Sequence, residues 1–254
     1  MTVIEGLALA AAGVAAGIVS TVVGLASVVS YPALLAIGLP PLAANMTNTV
    51  ALLFTGVGAA AGSRPELAGQ ASRLRRLGTI AALGGGAGAA LLLVTPPQTF
   101  VRVAPILIGA ASLTLLAPSR QDRAPGPGAG PAHDRRSPWL LAGVAGVAVY
   151  IGYFGAAGGI VMLALLIAMV AEPLARVNAV KNMLGAIANA VAAVAFAVFG
   201  HVDWAAVVPL AGGFLVGGWT GPALVRRIPG RVLRIGVAVC GLAVAVKLGI
   251  SAYG

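Results

Sequence analysis

The sequence predicts an all-α polytopic membrane protein made of two inverted repeats of about five transmembrane segments each, with short broken or re-entrant helices among them. Three observations predict it. The mean hydropathy is +1.01, and only 9% of the 254 residues are charged, which leaves too little polar surface for a soluble globule. Apolar stretches of roughly 20 residues recur along the whole length, each long enough as a helix to cross a ~30 Å hydrocarbon layer. The arginines behind a net charge of +10 gather in short segments between those stretches, with no basic stripe interleaved with aromatics. That pattern excludes a nucleic-acid surface and follows the positive-inside rule.

The first apolar segment covers 4–23; its start, MTVIEGLALAAAG, lacks a basic n-region, so it reads as a helix and not as a cleaved signal. The second, 26–38, is short; it follows the glycine turn VVGLAS and stops at Pro40 and Pro41. Segments 41–61, 74–95 and 99–117 complete the first half, and GGGAG at 84–88 reads as close helix packing because no GKS or GKT follows it. SRQDRAPGPGAGPAHDRRSP then forms a solvated, Pro/Gly-rich linker. Segment 139–154 opens the second half; 157–171, again short, lies between YFGAAGG and Pro173. Segments 173–199, 205–224 and 232–253 follow. The predicted organisation is a first membrane repeat at 1–117, a cytoplasmic linker at 118–138 and a second membrane repeat at 139–254.

The halves resemble each other. An offset of 132 places Pro41, Leu42 and Ala43 on Pro173, Leu174 and Ala175, and places Pro97, Arg102 and Gly109 on Pro229, Arg234 and Gly241. A one-residue slip brings Asn45 onto Asn178 and Asn48 onto Lys181. Arg64, Arg73, Arg75 and Arg76, the linker arginines, and Arg226, Arg227, Arg231 and Arg234 all fit on the cytoplasmic side, with Arg176 inside and Arg102 outside. An odd number of crossings per half inverts the second half relative to the first, the plan many secondary transporters use. Two segments of roughly 13 to 15 residues reach only ~20 to 23 Å as helices, so they are expected to be broken or re-entrant. Such matched short segments point to a binding site, with Gly24, Ser27, Pro32, Gly155, Gly158 and Gly159 as the broken-helix or gating positions.

The run SYPALLAIGLPPLAANMTNTVALL, with YFGAAGGIVMLALL, RVNAVKNML and GHVDWAAVVPLAGGFLVGG further on, resembles the TauE/SafE sulfite-exporter family, also called the 4-toluene sulfonate uptake permease family. The resemblance covers nearly the whole chain outside the linker. It implies a bacterial-type inner-membrane permease for small organosulfur or other organic anions such as sulfite, sulfonates or sulfoacetate-like compounds, built as two inverted repeats. Members often carry three glycines before the first-half proline. Here Gly24, Leu25, Ala26 and Ser27 stand there, leading to Pro32.

The candidate substrate-binding residues are Asn45, Thr47, Asn48 and Thr49 in one half and Asn178, Lys181 and Asn182 in the other, with Asn189 nearby. Spacings of three and four put each set on one helical face, and polar groups in lipid must turn toward protein or water. Amides, hydroxyls and backbone N–H groups at helix breaks supply donors for an anion; Lys181 supplies charge. Two alternatives stay open: Asn and Thr gluing helices together, and Lys181, some 12 Å along a helix from Pro173, snorkelling to the interface.

Tyr150, Tyr153 and Phe154 are expected in an interfacial aromatic belt, with a gate beside the glycine break as the alternative. His201 and Asp203 are expected in a short outward turn, Asp203 capping the next helix. All six carboxylates fall at termini, loops or segment ends, so no mid-membrane proton relay is indicated. The single Cys240 excludes an intrachain disulfide and a multi-cysteine metal site. No cofactor, metal or catalytic constellation is expected. The resulting expectation is an alternating-access anion permease working in export, with an anion channel of the same architecture as the alternative.

Overall fold

The computed structural model describes residues 2–22, 24–116, 138–155, 158–170 and 172–225, together with 239, 242–243, 245–246 and 249–250. The linker and most of the expected segment 232–253, with Cys240, Lys247 and the matches to Pro229, Arg234 and Gly241, lie outside the described residues. Among the described residues every regular element is a helix: α1 (Val3–Val22), α2 (Ala26–Ala36), α3 (Pro41–Gly62), α4 (Arg64–Leu67), α5 (Ala71–Val94), α6 (Pro97–Leu116), α7 (Pro138–Tyr153), α8 (Gly158–Met169), α9 (Leu174–Phe199) and α10 (Trp204–Val225). Five of them, α1, α3, α5, α9 and α10, are long and apolar enough to cross a membrane. Only the single turn α4 lacks a counterpart in the sequence reading.

The ends of the helices follow from local chemistry. Pro41 opens α3 where a missing N–H is harmless, and Pro173 stands at the N-cap of α9. Gly24 and Gly155 end the preceding helices with φ of +86° and +72°. Side-chain-bearing residues rarely adopt that conformation. Each of these glycines donates to the carbonyl five residues back, Gly24 to Val19 at 3.1 Å and Gly155 to Tyr150 at 3.0 Å. The two breaks also touch: a Cβ added at Gly24 would lie 2.6 Å from Gly159 Cα, and one at Gly159 would lie 2.6 Å from Gly24 Cα.

Burial runs inside-out relative to a soluble protein. Asn45, Thr47, Asn48, Thr49, Asn178 and Lys181 are buried, while Leu83, Val94, Val194, Val198, Val208 and Trp219 face outward. With no hydrophobic force between helices in lipid, close backbone contact through small residues must hold them. It does so at two seams. On α1 and α10, a Cβ at Gly13 would lie 2.5 Å from the Leu210 carbonyl, and one at Gly213 would lie 2.1 Å from the Ala10 carbonyl. On α5 and α7, a Cβ at Gly88 would meet the Val149 carbonyl at 2.0 Å, and one at Gly152 the Gly85 carbonyl at 2.2 Å. GGGAG is therefore a packing surface, as its apolar context suggests.

The contacts are reciprocal between the halves. α1 packs along α10 and α10 along α3; α7 packs along α5 and α5 along α9. The first long helix on either side of the linker thus lies against a helix from the other side. At one end of the bundle, the loop after α4 meets the turn before α9. Arg73 bonds Glu172 at 2.8 Å, Arg176 pairs with Glu172 at 3.3 Å and donates to the Ala68 carbonyl at 2.7 Å, and Gln70 contacts both Arg73 and Glu172. Burial works against the Glu172 carboxylate. The hydrogen bonds from Arg73 and Gln70 and the charges of Arg73 and Arg176 outweigh it and hold its pKa below the ordinary value.

Candidate functional site

α1 ends at Val22, so its last carbonyls have no intrahelical donor. The polar face of α9 supplies donors. Asn178 Nδ2 donates to the Thr21 carbonyl at 2.9 Å and Asn182 Nδ2 to the same oxygen at 3.3 Å. Lys181 Nζ lies 3.4 Å from the carbonyls of both Ser20 and Thr21. The ammonium therefore sits on the negative end of a helix dipole. Lys181 is only 2% exposed, and its amine points to the end of α1, which contradicts the snorkelling reading. Contacts of 3.4 Å are longer than the ~2.7–2.9 Å of a strong charge-assisted bond, so the three donors of this amine keep capacity for an anion.

Ser20, Thr21, Lys181 and Asn182 wall a cavity of about 60 Å³. α9 contributes Lys181, Asn182, Gly185 and Asn189; α1 and the break after it contribute Ser20, Thr21 and Gly24; Ser27 comes from the first turn of α2 and Thr55 from α3. No carboxylate is among the lining residues. The Thr55 hydroxyl is buried and has no hydrogen-bond partner among the described residues, so the cavity is the place where it can find one.

Of the expected substrate-binding residues, Lys181 and Asn182 line this cavity; of the expected broken-helix positions, Gly24, Ser27, Gly155 and Gly159 do. Asn178 stands just behind the wall, on the Thr21 carbonyl. The first-half set takes other places. Asn45 Nδ2 donates to the Tyr153 carbonyl at the end of α7, 3.0 Å away. Asn48 Nδ2 reaches Ser27 Oγ at 3.2 Å, Thr49 bonds back to the Asn45 carbonyl at 3.0 Å, and Thr47 Oγ1 accepts from the Asp203 N–H at 3.0 Å. Pro32 lies inside α2 and Gly158 opens α8, both away from the lining.

Ser20, Thr21 and Thr55 are the polar lining residues that the sequence reading missed. Helical spacing offered a signal for Thr55, which lies seven residues beyond Asn48 on α3. Asp203 caps α10 as expected, accepting from the Ala206 N–H at 3.0 Å. The aromatic-belt expectation fails for Phe154, which is 2% exposed and packed against Tyr31 and Phe100 inside the protein. Residues beside a helix break face the bundle because the freed backbone there must be enclosed by protein.

Long apolar helices, an inward-turned polar lining and a cation at the end of an interrupted helix define a multi-pass membrane protein of the transporter class. The profile of the family described as Sulfite exporter TauE/SafE matches residues 9–248. The chain belongs to that family. No curated protein and no solved structure matches it.

Proposed function

We propose that this protein exports a small organosulfur or other organic anion across the inner membrane by alternating access, with Lys181, Asn182, Thr55 and Ser20 around the bound anion. The observation that carries this reading is the buried Lys181 amine, lining a cavity with no carboxylate among its described lining residues. A buried cation lacking a fixed counter-ion is costly, and an anionic cargo that supplies the counter-ion relieves that cost. At roughly 10–15 Å³ per water-sized group, the cavity holds about four to six such groups. That volume suits sulfite or a sulfonate head better than a whole aryl sulfonate.

Two inverted repeats, at 1–117 and 139–254 about a cytoplasmic linker, are supported by reciprocal hydrogen bonds as well as by sequence. Asn45 of the first half holds the end of α7, while Asn178 of the second holds the end of α1. The Gly24 and Gly155 breaks carry the same left-handed backbone and the same bond five residues back. Export needs no further coupling, since moving one negative charge out of an inside-negative cell gains roughly 2.3 kcal/mol per 100 mV.

Sulfite efflux from proteoliposomes tests the proposal. A saturable flux that Lys181→Ala abolishes, in a variant that inserts and stays folded, supports it; unchanged flux overturns it. Single-channel conductance would favour a pore.

A further inference from the structure

Four aromatic side chains meet beside the second helix break. The Tyr31 ring of α2 meets Phe154 edge-on with centroids 5.6 Å apart at 84°, and Phe154 meets Phe100 of α6 at 5.6 Å and 68°. Tyr153 leans on Phe100 at 6.2 Å. Tyr31, Phe100 and Phe154 are each at most 2% exposed. Phe100 lies in the first turn of α6, just past the turn that ends α5. The opposite end of α5 carries Arg73, Arg75 and Arg76, and its 24 residues span roughly 36 Å. The aromatic cluster and the arginines are therefore at opposite ends of the bundle.

The cavity lies toward the arginines. Ala59 in its lining is three residues from the end of α3, which leads to Arg64. Lys181 is five residues beyond Arg176, which is bonded to Glu172 and Ala68. The offset of 132 that relates the halves carries Thr21 to Tyr153 and Val22 to Phe154. The rings thus fill, near the end of α7, the place that corresponds to the hollow near the end of α1. Gly155, next to Phe154, lines the cavity, so the rings border it where it meets the end of α7.

The plug also has the means to move. Phe154 immediately precedes Gly155, whose φ of +72° marks a backbone break, and follows Tyr153, whose carbonyl is held by Asn45. The Tyr31 hydroxyl is buried without a hydrogen-bond partner among the described residues, so a state that wets it relieves a cost of the closed one. We propose that Tyr31, Phe100 and Phe154 form the outer gate, closed in this structure, and that rearrangement at Gly155 opens it. The inference rests on the alternating-access reading and adds to it the residues that seal the outer side.

The test uses full-length Ser20→Cys protein in a Cys240→Ala background, in vesicles of each orientation, labelled by a membrane-impermeant thiol reagent. Cys accessibility at position 20 from the cytoplasmic face is expected, with slow labelling from the outer face. Phe154→Ala is expected to raise the outer-face rate about ten-fold or more, as the outward-open state rises from a population of the order of 1%. The inner-face rate stays within two-fold, which also reports that the variant is folded; if Phe154→Ala fails that check, Phe154→Leu takes its place. Tyr31→Phe keeps the ring and is expected to leave the outer-face rate unchanged or lower. An outer-face rate that is already fast, or that neither Phe154 variant raises, overturns the gate alone. Absence of labelling from the inner face overturns the permease reading beneath it.

Discussion

Asn45 donates its side-chain amide to the backbone carbonyl of Tyr153 at 3.0 Å, and so ties the first turn and a half of α3 to the last residue of α7. Its sequence match Asn178 does the same for Thr21 at 2.9 Å. Each half therefore holds the interrupted helix of the other, and Gly24 of the first break lies against Gly159 of the second.

If these two bonds are equivalent, their loss must cost about the same. Asn45→Ala and Asn178→Ala are each expected to lower stability by about 0.6 kcal/mol, and by no more than about 1.7, the range for interhelical hydrogen bonds in membranes. Thermal unfolding in detergent checks this. A large loss for one variant with none for the other would contradict the reciprocity.

Thr55 separates a ligand role from a structural one. Its hydroxyl has no partner to lose among the described residues, so Thr55→Val should leave thermal stability unchanged or slightly higher while weakening sulfite binding about three- to ten-fold, the equivalent of one modest hydrogen bond. Unchanged binding in calorimetry would remove Thr55 from the site.

The seam between α5 and α7 allows no side chain at Gly88, where a Cβ would lie 2.0 Å from the Val149 carbonyl. Gly88→Val is expected to cost about 3 kcal/mol or more through forced separation of the helices. Gly146→Ala, at a position with open space around it, is the control and should be neutral or slightly stabilising. Thermal unfolding of purified protein distinguishes them.

Glu172 gives the fold an acid-sensitive tie between the loop after α4 and the start of α9. Its pKa is lowered in the folded protein: burial opposes ionisation, but the hydrogen bonds from Arg73 and Gln70 and the charges of Arg73 and Arg176 prevail. A depressed carboxylate stabilises at pH values above its unfolded pKa, near 4.3, and that stabilisation fades as pH falls through the lower folded value. The expected result is a loss of stability below about pH 4.3 that Glu172→Gln lacks, with a smaller difference at high salt because the group is partly exposed.

The short helices, their flanking prolines and the inward face of α9 were legible in the sequence because each has a side-chain signature. Lys181 and Asn182 could be assigned to the interior on the cost of polarity in lipid alone. Their immediate partner could not, because the carbonyls of Ser20 and Thr21 are backbone atoms whose availability depends on where α1 stops. For the same reason the wall opposite Lys181 was placed at Asn45–Thr49. The crossing of α3 with α9 instead brings Thr55 there, and Gly56, whose added Cβ would lie 2.5 Å from the Ala186 Cβ, marks the close approach. Phe154 is expected in the interfacial belt because its own residue type does not say which way it turns beside the Gly155 break; its burial against Tyr31 and Phe100 depends on where α2 and α6 pass.

Equilibrium binding of sulfite to the purified full-length protein, compared with Lys181→Gln, bears most directly on the claim that Lys181 at the end of α1 receives the anion. The account predicts saturable binding by the wild type and at least about a ten-fold weakening in a variant that remains folded, roughly 1.4 kcal/mol of lost charge-assisted interaction. Equal affinity in the two proteins would contradict it.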